Sequence, residues 1–514
     1  MDSLQTLHVE IPEHLTVPPT THGGDQAPRS PAAVYRSAYG AARSAGHRFW
    51  YRLSGKGRKR VPGWAESVGN ILKSSYLNIL FAVVPVAWIS HYLKWNSAVV
   101  FVLCFLSIIP MEGMLDWGGE QMTLYLGKQF GDLLIITLNN AVEAVLAIAL
   151  LFQCELRLLQ ATLVGVILLH LLLIPGTSFM VNGKEIQHQV LQSHHSGLNQ
   201  SLLLMGVLAT LLPTAFFAAL DRGNNPTPVF VNEELSVAVV SDFTRGEILK
   251  ISRGLAILLI LVYIQSRKYL HNPTGKKSDA LALHEDEHDA LKEHELRLLE
   301  EEPLTNPWAC LVMLLVVVAL LSATAGLLVK SIESVREGSN ITTEWFGLIL
   351  LPVVSYSADG TVTVVFWLER RIRSHKKKQH IEPSILAEGR AIDLSIQFTL
   401  WWTPLVVLLG WFTGRPMHLL FDYFEVAILV GSCFLVNYVT ADSKTNWAEG
   451  FIMIVFYVMI ALTAWFYPGQ PEIKLMLECT ATGVTELLTA AAASGAATEA
   501  ASEVARSFAR TVLG

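Results

Sequence analysis

Two acidic residues lie where acids are costly. The stretch Gly131 to Leu151, GDLLIITLNNAVEAVLAIALL, carries Asn139, Asn140 and Glu143 in its middle. It is otherwise apolar and matches the roughly 20 residues that a helix needs to cross a bilayer core. A second stretch, FGLILLPVVSYSADGTVTVVFWL from Phe346, reads the same way around Asp359. Phe130 to Glu143 spans thirteen positions, as does Phe346 to Asp359, and each run opens on Phe-Gly and ends on one acid. A carboxylate at mid-bilayer depth costs roughly 2.5 to 3.5 kcal/mol on insertion scales, so it faces a bundle interior, a water-filled cavity or an ion. One such acid could serve only to pair helices. Two at matching places in two similar runs point to a duplicated site.

The chemistry open to such a pair is competition. Each carboxyl is neutral when protonated and ionised when a cation compensates it, so metal ion and proton contend for the same oxygens. A hard cation takes several oxygens from carboxylate, amide and carbonyl groups. Thr137, Asn139 and Asn140 beside Glu143 supply them, as do Ser355, Tyr356, Ser357 and Thr361 beside Asp359. Pro352 and Gly360 would interrupt the second helix and free carbonyls, as discontinuous transporter helices do. Gln397, in DLSIQFTLWW, is a candidate site-lining amide, with Asp393 four residues earlier at the edge of its span. His170, alone on an apolar face, reads first as a packed, hydrogen-bonded histidine. Glu143 and Asp359 are the expected ligands of the transported cation, and no resident cofactor is implied.

The elements that must position these residues are membrane helices. Of 514 residues, 52% are hydrophobic and 16% charged, with mean hydropathy +0.42. Soluble domains carry about 25% charged residues. The expected fold is an all-α polytopic membrane protein of about eleven spans, near 76–93, 98–115, 131–152, 157–175, 200–220, 248–266, 308–330, 344–368, 392–413, 421–440 and 447–467. The organisation follows: a cytosolic tail over 1–70, a first transmembrane half over 71–266, an acidic linker over 267–306, a second half over 307–467 and an Ala-, Thr- and Glu-rich tail over 468–514. The N-terminus has no charged segment followed by an apolar one, so insertion is expected to rely on the first span. The basic residues Arg52 to Arg60 and Arg370 to Lys378 place the N-terminus in the cytosol, and they read as topology signals rather than a nucleic-acid surface. Five cysteines fall singly and give no disulfide framework or metal spacing.

One motif suggests an enzyme. His284-Glu285-Asp286-Glu287-His288 fits the H-E-x-x-H pattern of zinc peptidases. Here it stands in a charged linker with no apolar wall and no third ligand, and a solvated acidic helix accounts for it. No enzymatic activity is expected.

The chain resembles the vacuolar calcium/proton exchangers, a branch of the cation/calcium exchanger superfamily. The stretches that carry the likeness are ELRLLQATLVGVILLHLLLIPG from Glu155, TEWFGLILLPVV from Thr343, PLVVLLGWFTGRPMHLLFDYFE from Pro404 and VNYVTADSKTNWAEGFIMIVFY from Val436. The family motif Gly-Asn-Ala-Val-Glu reads Asn139-Asn140-Ala141-Val142-Glu143 here, and Gly-Asn-Ala-Ala-Glu-His reads Ser355-Tyr356-Ser357-Ala358-Asp359-Gly360. The family's following Gly-Ser pair is Gly165-Val166, with His170 in place of Asn, and the second-repeat counterpart keeps Ser395 and Gln397. The resemblance implies an N-terminal helix plus two inverted five-helix repeats in the membrane of an acidic organelle. It further implies exchange of calcium for protons, with a monovalent cation (sodium or potassium) or a transport-inactive scaffold as alternatives. It leaves the oligomeric state open.

Overall fold

The computed structural model describes residues 61–126, 128–182, 189–190, 193–223, 230–231, 234–235, 242–271, 301–339, 341–356, 385–441 and 444–479. Asp359 and Ser357, most of the acidic linker with its H-E-x-x-H run, the N-terminal tail and the chain beyond Cys479 lie outside the described residues.

Each apolar segment of the sequence contains helix. We number the helices in chain order: α1 Trp64–Lys73, α2 Val83–Tyr92, α3 Ser97–Leu126, α4 Lys128–Asn139, α5 Ala141–Phe152, α6 Leu156–Leu168, α7 Ile174–Asn182, α8 Ser193–Gly223 and α9 Asp242–His271. The second half contributes α10 Pro307–Ser339, α11 Thr343–Trp345, α12 Ile385–Gln397, α13 Thr403–Phe412, α14 Tyr423–Val439, α15 Trp447–Trp465 and α16 Pro471–Leu477. Among the described residues six helices are long and apolar enough to cross a membrane, and two more pairs qualify if each bent pair is one span. The segments 343–356 and 423–439 are shorter apolar helices. The chain is therefore an all-α integral membrane protein. Its strands are two-residue bridges, such as Gln189–Val190 against Lys444–Thr445.

Helix α1 begins before the first apolar segment, at Trp64. Asn70 donates to the Leu304 carbonyl, Ser67 Oγ accepts from the Asn306 amide and Tyr125 donates to the Thr305 carbonyl, which gathers the starts of both halves at one end. From there α10 runs 33 residues, about 50 Å at 1.5 Å per residue, and its far end adjoins the opposite face.

The two halves share an irregularity. A π-helical turn, Leu169–Leu173, joins α6 to α7, and another, Phe398–Trp402, joins α12 to α13. A third, Phe346–Leu350, follows α11. Such turns put an extra residue into the helical ladder and recur at functional sites. Helix α6 packs directly on the third. A methyl group on Gly165 would run into the Leu348 carbonyl oxygen, and one on Gly347 would come within 2.7 Å of the Ala161 side chain. Small residues let membrane helices pack backbone to backbone. Gly165→Ala is expected to destabilise the protein by about 1–3 kcal/mol through overpacking, read as a lower melting temperature in detergent.

Candidate functional site

The site is built from a broken helix. Helices α4 and α5 form one apolar run bent by 53°. Asn140 stands at the bend with φ −97° and ψ 7°, outside the helical region, and acts as N-cap to α5. The break gives α5 its own N-terminus in mid-run, and Glu143 lies in its first turn. The partial positive charge of exposed N–H groups at a helix start favours an anion there, which offsets part of the cost of burying Glu143, only 3% exposed.

The second half locks this bend. Asn140 Nδ2 donates to Gln397 Oε1 at 2.7 Å and toward the Leu394 carbonyl at 3.3 Å, and Gln397 Nε2 donates to Thr137 Oγ1 at 3.0 Å. Asn140 and Gln397 are both buried. With its amide nitrogen committed to Gln397, Asn140 turns its Oδ1 elsewhere, and among the described residues that oxygen accepts no hydrogen bond. Asn140 and Glu143 are three positions apart at a helix start, which sets them on one face. An amide oxygen and a carboxylate on that face form part of an oxygen set that suits a hard cation.

The other predicted residues divide. Asn139, with its amide oriented to satisfy its neighbours, donates to Asp116 Oδ1 at 2.7 Å and to the Ile135 carbonyl at 2.9 Å. It is thus tied to α3 rather than to Gln397. Ser355 is buried and bonded within its own helix, to the Pro352 carbonyl at 2.9 Å, and Tyr356 beside it is half-buried. His170, in the first π turn, is buried and shares a 2.9 Å hydrogen bond with the Val166 carbonyl. Asp393 accepts from Asn199 at 3.1 Å and faces Arg267 at 3.8 Å, with its side chain 27% exposed. The structure brings Asn140, Gln397, Thr137 and Glu143 onto one broken helix and its partner, and keeps Ser355, His170 and Asp393 in other bonds.

Sequence reasoning missed two groups. Glu112, Asp116 and Glu120 recur every fourth residue along α3. Glu112 is 3% exposed, and Asp116 reaches the site through Asn139. That spacing was legible, because acids at i, i+4 and i+8 share a helix face. The other group had no such signal. At the opposite end from Ser67 and Leu304, Arg157 at the start of α6 is buried against three carboxylates, Glu344, Asp422 and Glu425. The chain is covalently closed there as well, by a Cys154–Cys479 disulfide across 325 positions, which isolated cysteines in the sequence did not announce.

Known proteins resemble this chain in sequence and in fold. The chain is 30% identical over 419 residues to a vacuolar calcium ion transporter of Schizosaccharomyces pombe, covering 79% of this chain and 88% of that one. It belongs to the vacuolar calcium/proton exchanger family. Residues 309–466 match the sodium/calcium exchanger protein family. A Ca(2+)/H(+) antiporter of Aphanothece halophytica is 29% identical over 395 residues, with 77% of this chain and 97% of the relative covered. Among solved structures, native YfkE aligns with TM-score 0.56 at 21% identity over 76% of this chain and all of its own, a likeness of fold. The break at Asn140 and the amide of Gln397 come from different halves of the chain, and inverted-repeat transporters place their sites where the repeats meet.

Proposed function

We propose that this chain is a calcium/proton antiporter of an acidic organelle membrane. The observation that carries the reading is the buried start of α5, where Asn140 is clamped by Gln397 of the second half and Glu143 follows in the first turn. The names of the relatives from Schizosaccharomyces pombe and Aphanothece halophytica point the same way. In this reading Glu143 and the Asn140 oxygen bind calcium from one side of the membrane and Asp359 of the second motif supplies the other carboxylate. Protons arriving from the acidic side neutralise the carboxylates and release the cation. Asn139 and Gln397 position the bend, and Ser355, Ser357 and Tyr356 belong to the second motif's wall.

Redox chemistry supports an orientation. Disulfides persist in oxidising compartments, which supports a lumenal Cys154–Cys479 end and a cytosolic end at Ser67 and Leu304. The vacuole is the fitting compartment.

Purified protein in vesicles with an imposed proton gradient tests the function. Calcium is expected to collapse the gradient, with calcium uptake of matching stoichiometry. Collapse by sodium or potassium with no calcium effect would replace calcium with a monovalent substrate, and no response to any cation would refute transport.

A further inference from the structure

The cluster around Arg157 does not balance its charge. Arg157 Nε and Nη2 donate to both oxygens of Glu344 at 2.9 and 2.6 Å, Nη2 stands 3.2 Å from Asp422 Oδ2, and Nη1 donates to Glu425 Oε2 at 3.3 Å. The guanidinium side chain is 8% exposed, and those of Glu344, Asp422 and Glu425 are 7%, 0% and 2% exposed. One cation thus meets three enclosed carboxyls. Lys474 acts on Glu344 electrostatically, but its side chain is exposed, where solvent screens it. Arg245 acts on His418 and donates to the Glu478 carbonyl. Three ionised carboxyls would leave two uncompensated negative charges in a dry pocket, and a buried group in that position neutralises instead.

Hydrogen bonding decides which carboxyl is neutral, since donors to the ionised form hold it ionised. Glu344 takes the forked guanidinium pair, the strongest form of such contact. Asp422 accepts from the Phe424 and Gln470 amides at 2.9 Å each and from the Tyr467 hydroxyl at 2.5 Å. Burial and Asp422 push the Tyr467 phenol up, so it stays a donor. Glu425 is the poor relation. Its Oε2 receives two long bonds of 3.3 Å, from Arg157 and from the Asp422 amide. Its Oε1, fully enclosed, lies 3.2 Å from Arg157 Nη2 yet accepts no hydrogen bond among the described residues.

We propose that the Arg157 cluster is a proton-binding site, distinct from the transport site, in which Glu425 carries the proton. Because Asp422 also holds Tyr467 and Gln470, the proton governs the seating of the segment from Tyr467 to the disulfide. Loss of the proton leaves three carboxylates competing for one guanidinium and loosens that seat. The segment is tight in acid and loosens as pH rises. This device stands whether or not the transported cation is calcium.

The sign separates it from the neighbouring histidine. His418, packed with Gln160 in the loop before α14, is pushed down to about 3 by burial, with Arg245 and Arg157 adding to the effect. A histidine whose folded value lies below its unfolded one, about 6.5, contributes stability that is lost as pH falls through that range. The Glu425 contribution runs the other way, present in acid and lost as pH rises through proton release.

Infrared difference spectroscopy and thermal melting of the full chain in nanodiscs, over a pH series, test the site. The wild type is expected to show a protonated-carboxyl C=O band that titrates and is lost in Glu425→Gln. The variant should melt like wild type in acid and lack the fall in melting temperature that accompanies the titration. Identical bands and melting profiles in both proteins overturn the proposal. Glu344→Gln gives a second readout should Glu425→Gln fold poorly. With one anion fewer beside Arg157, the Glu425 band should titrate at least about tenfold higher in proton concentration, one pH unit lower. A band that stays in place overturns the proposal equally.

Discussion

Glu143→Gln is expected to reduce proton-coupled cation exchange to the level of protein-free vesicles while leaving the protein inserted and folded. Glutamine keeps the size and one oxygen of glutamate but neither binds a proton in exchange nor takes on the charge that draws a cation, so the competition at the heart of antiport disappears. Folding should not suffer. The side chain is buried at 3% exposure, and an ionised acid in the middle of a span costs roughly 2.5 to 3.5 kcal/mol, so the neutral variant should melt at or above the wild-type temperature. Vesicle flux and melting on the same preparation check both halves of the expectation. Exchange at wild-type rate in Glu143→Gln would remove this residue from the transport site. A variant that lost flux and stability together would show a packing role instead.

The residues that made the site legible were those the bilayer penalises. An asparagine pair and an acid in an apolar run can only be explained by something they face, and so Asn140, Glu143 and Gln397 could be read from sequence. What Asn140 does to its own helix was not readable, because its amide is taken by Gln397, 257 positions away along the chain. The π turns were hidden for a similar reason. LHLLL and FTLWW look like any apolar helix, and their extra residue is set by how α6 and α12 pack against neighbours. Asn139 shows the limit from the other side. Its place in the motif suggested a ligand, but a bend at Asn140 turns adjacent residues apart, and Asp116 takes the Asn139 amide.

The end closed by the disulfide was legible least. An arginine in CELRLLQ, a glutamate in TTEWFG and two acids in LFDYFEV each look like an ordinary polar residue at a span edge, where the headgroup region would solvate it. Nothing in their spacing says that they meet. Only tertiary packing, with the loop before α14 folded under the end of α6, takes them out of water. The same packing sets Cys479 against Cys154, so the polar cluster and the covalent bond close one end of the bundle together, while the site lies along the helices between the two ends.

Arg157→Met follows from that enclosure and should be the most destabilising single change in the protein. It removes the guanidinium from three carboxyls that remain buried, and breaking a buried ion pair from one side costs about 3–5 kcal/mol. The loss should depend on pH in a defined direction. Without Arg157 the buried Glu344 and Glu425 carboxyls hold their protons to higher pH than in the unfolded chain, so the folded state binds more protons and its stability falls as pH rises. Melting of Arg157→Met is therefore expected to approach wild type in acid and to fall steeply toward neutrality. Adding Glu344→Gln and Glu425→Gln removes two of the three uncompensated carboxyls and leaves Asp422 with its own hydrogen bonds from Phe424, Gln470 and Tyr467, so part of the lost stability at neutral pH should return, since removing the partners of a buried charge is far cheaper than leaving them stranded. If Arg157→Met melts like wild type at all pH values, the cluster is hydrated rather than dry, and the charge argument for a bound proton at Glu425 fails with it.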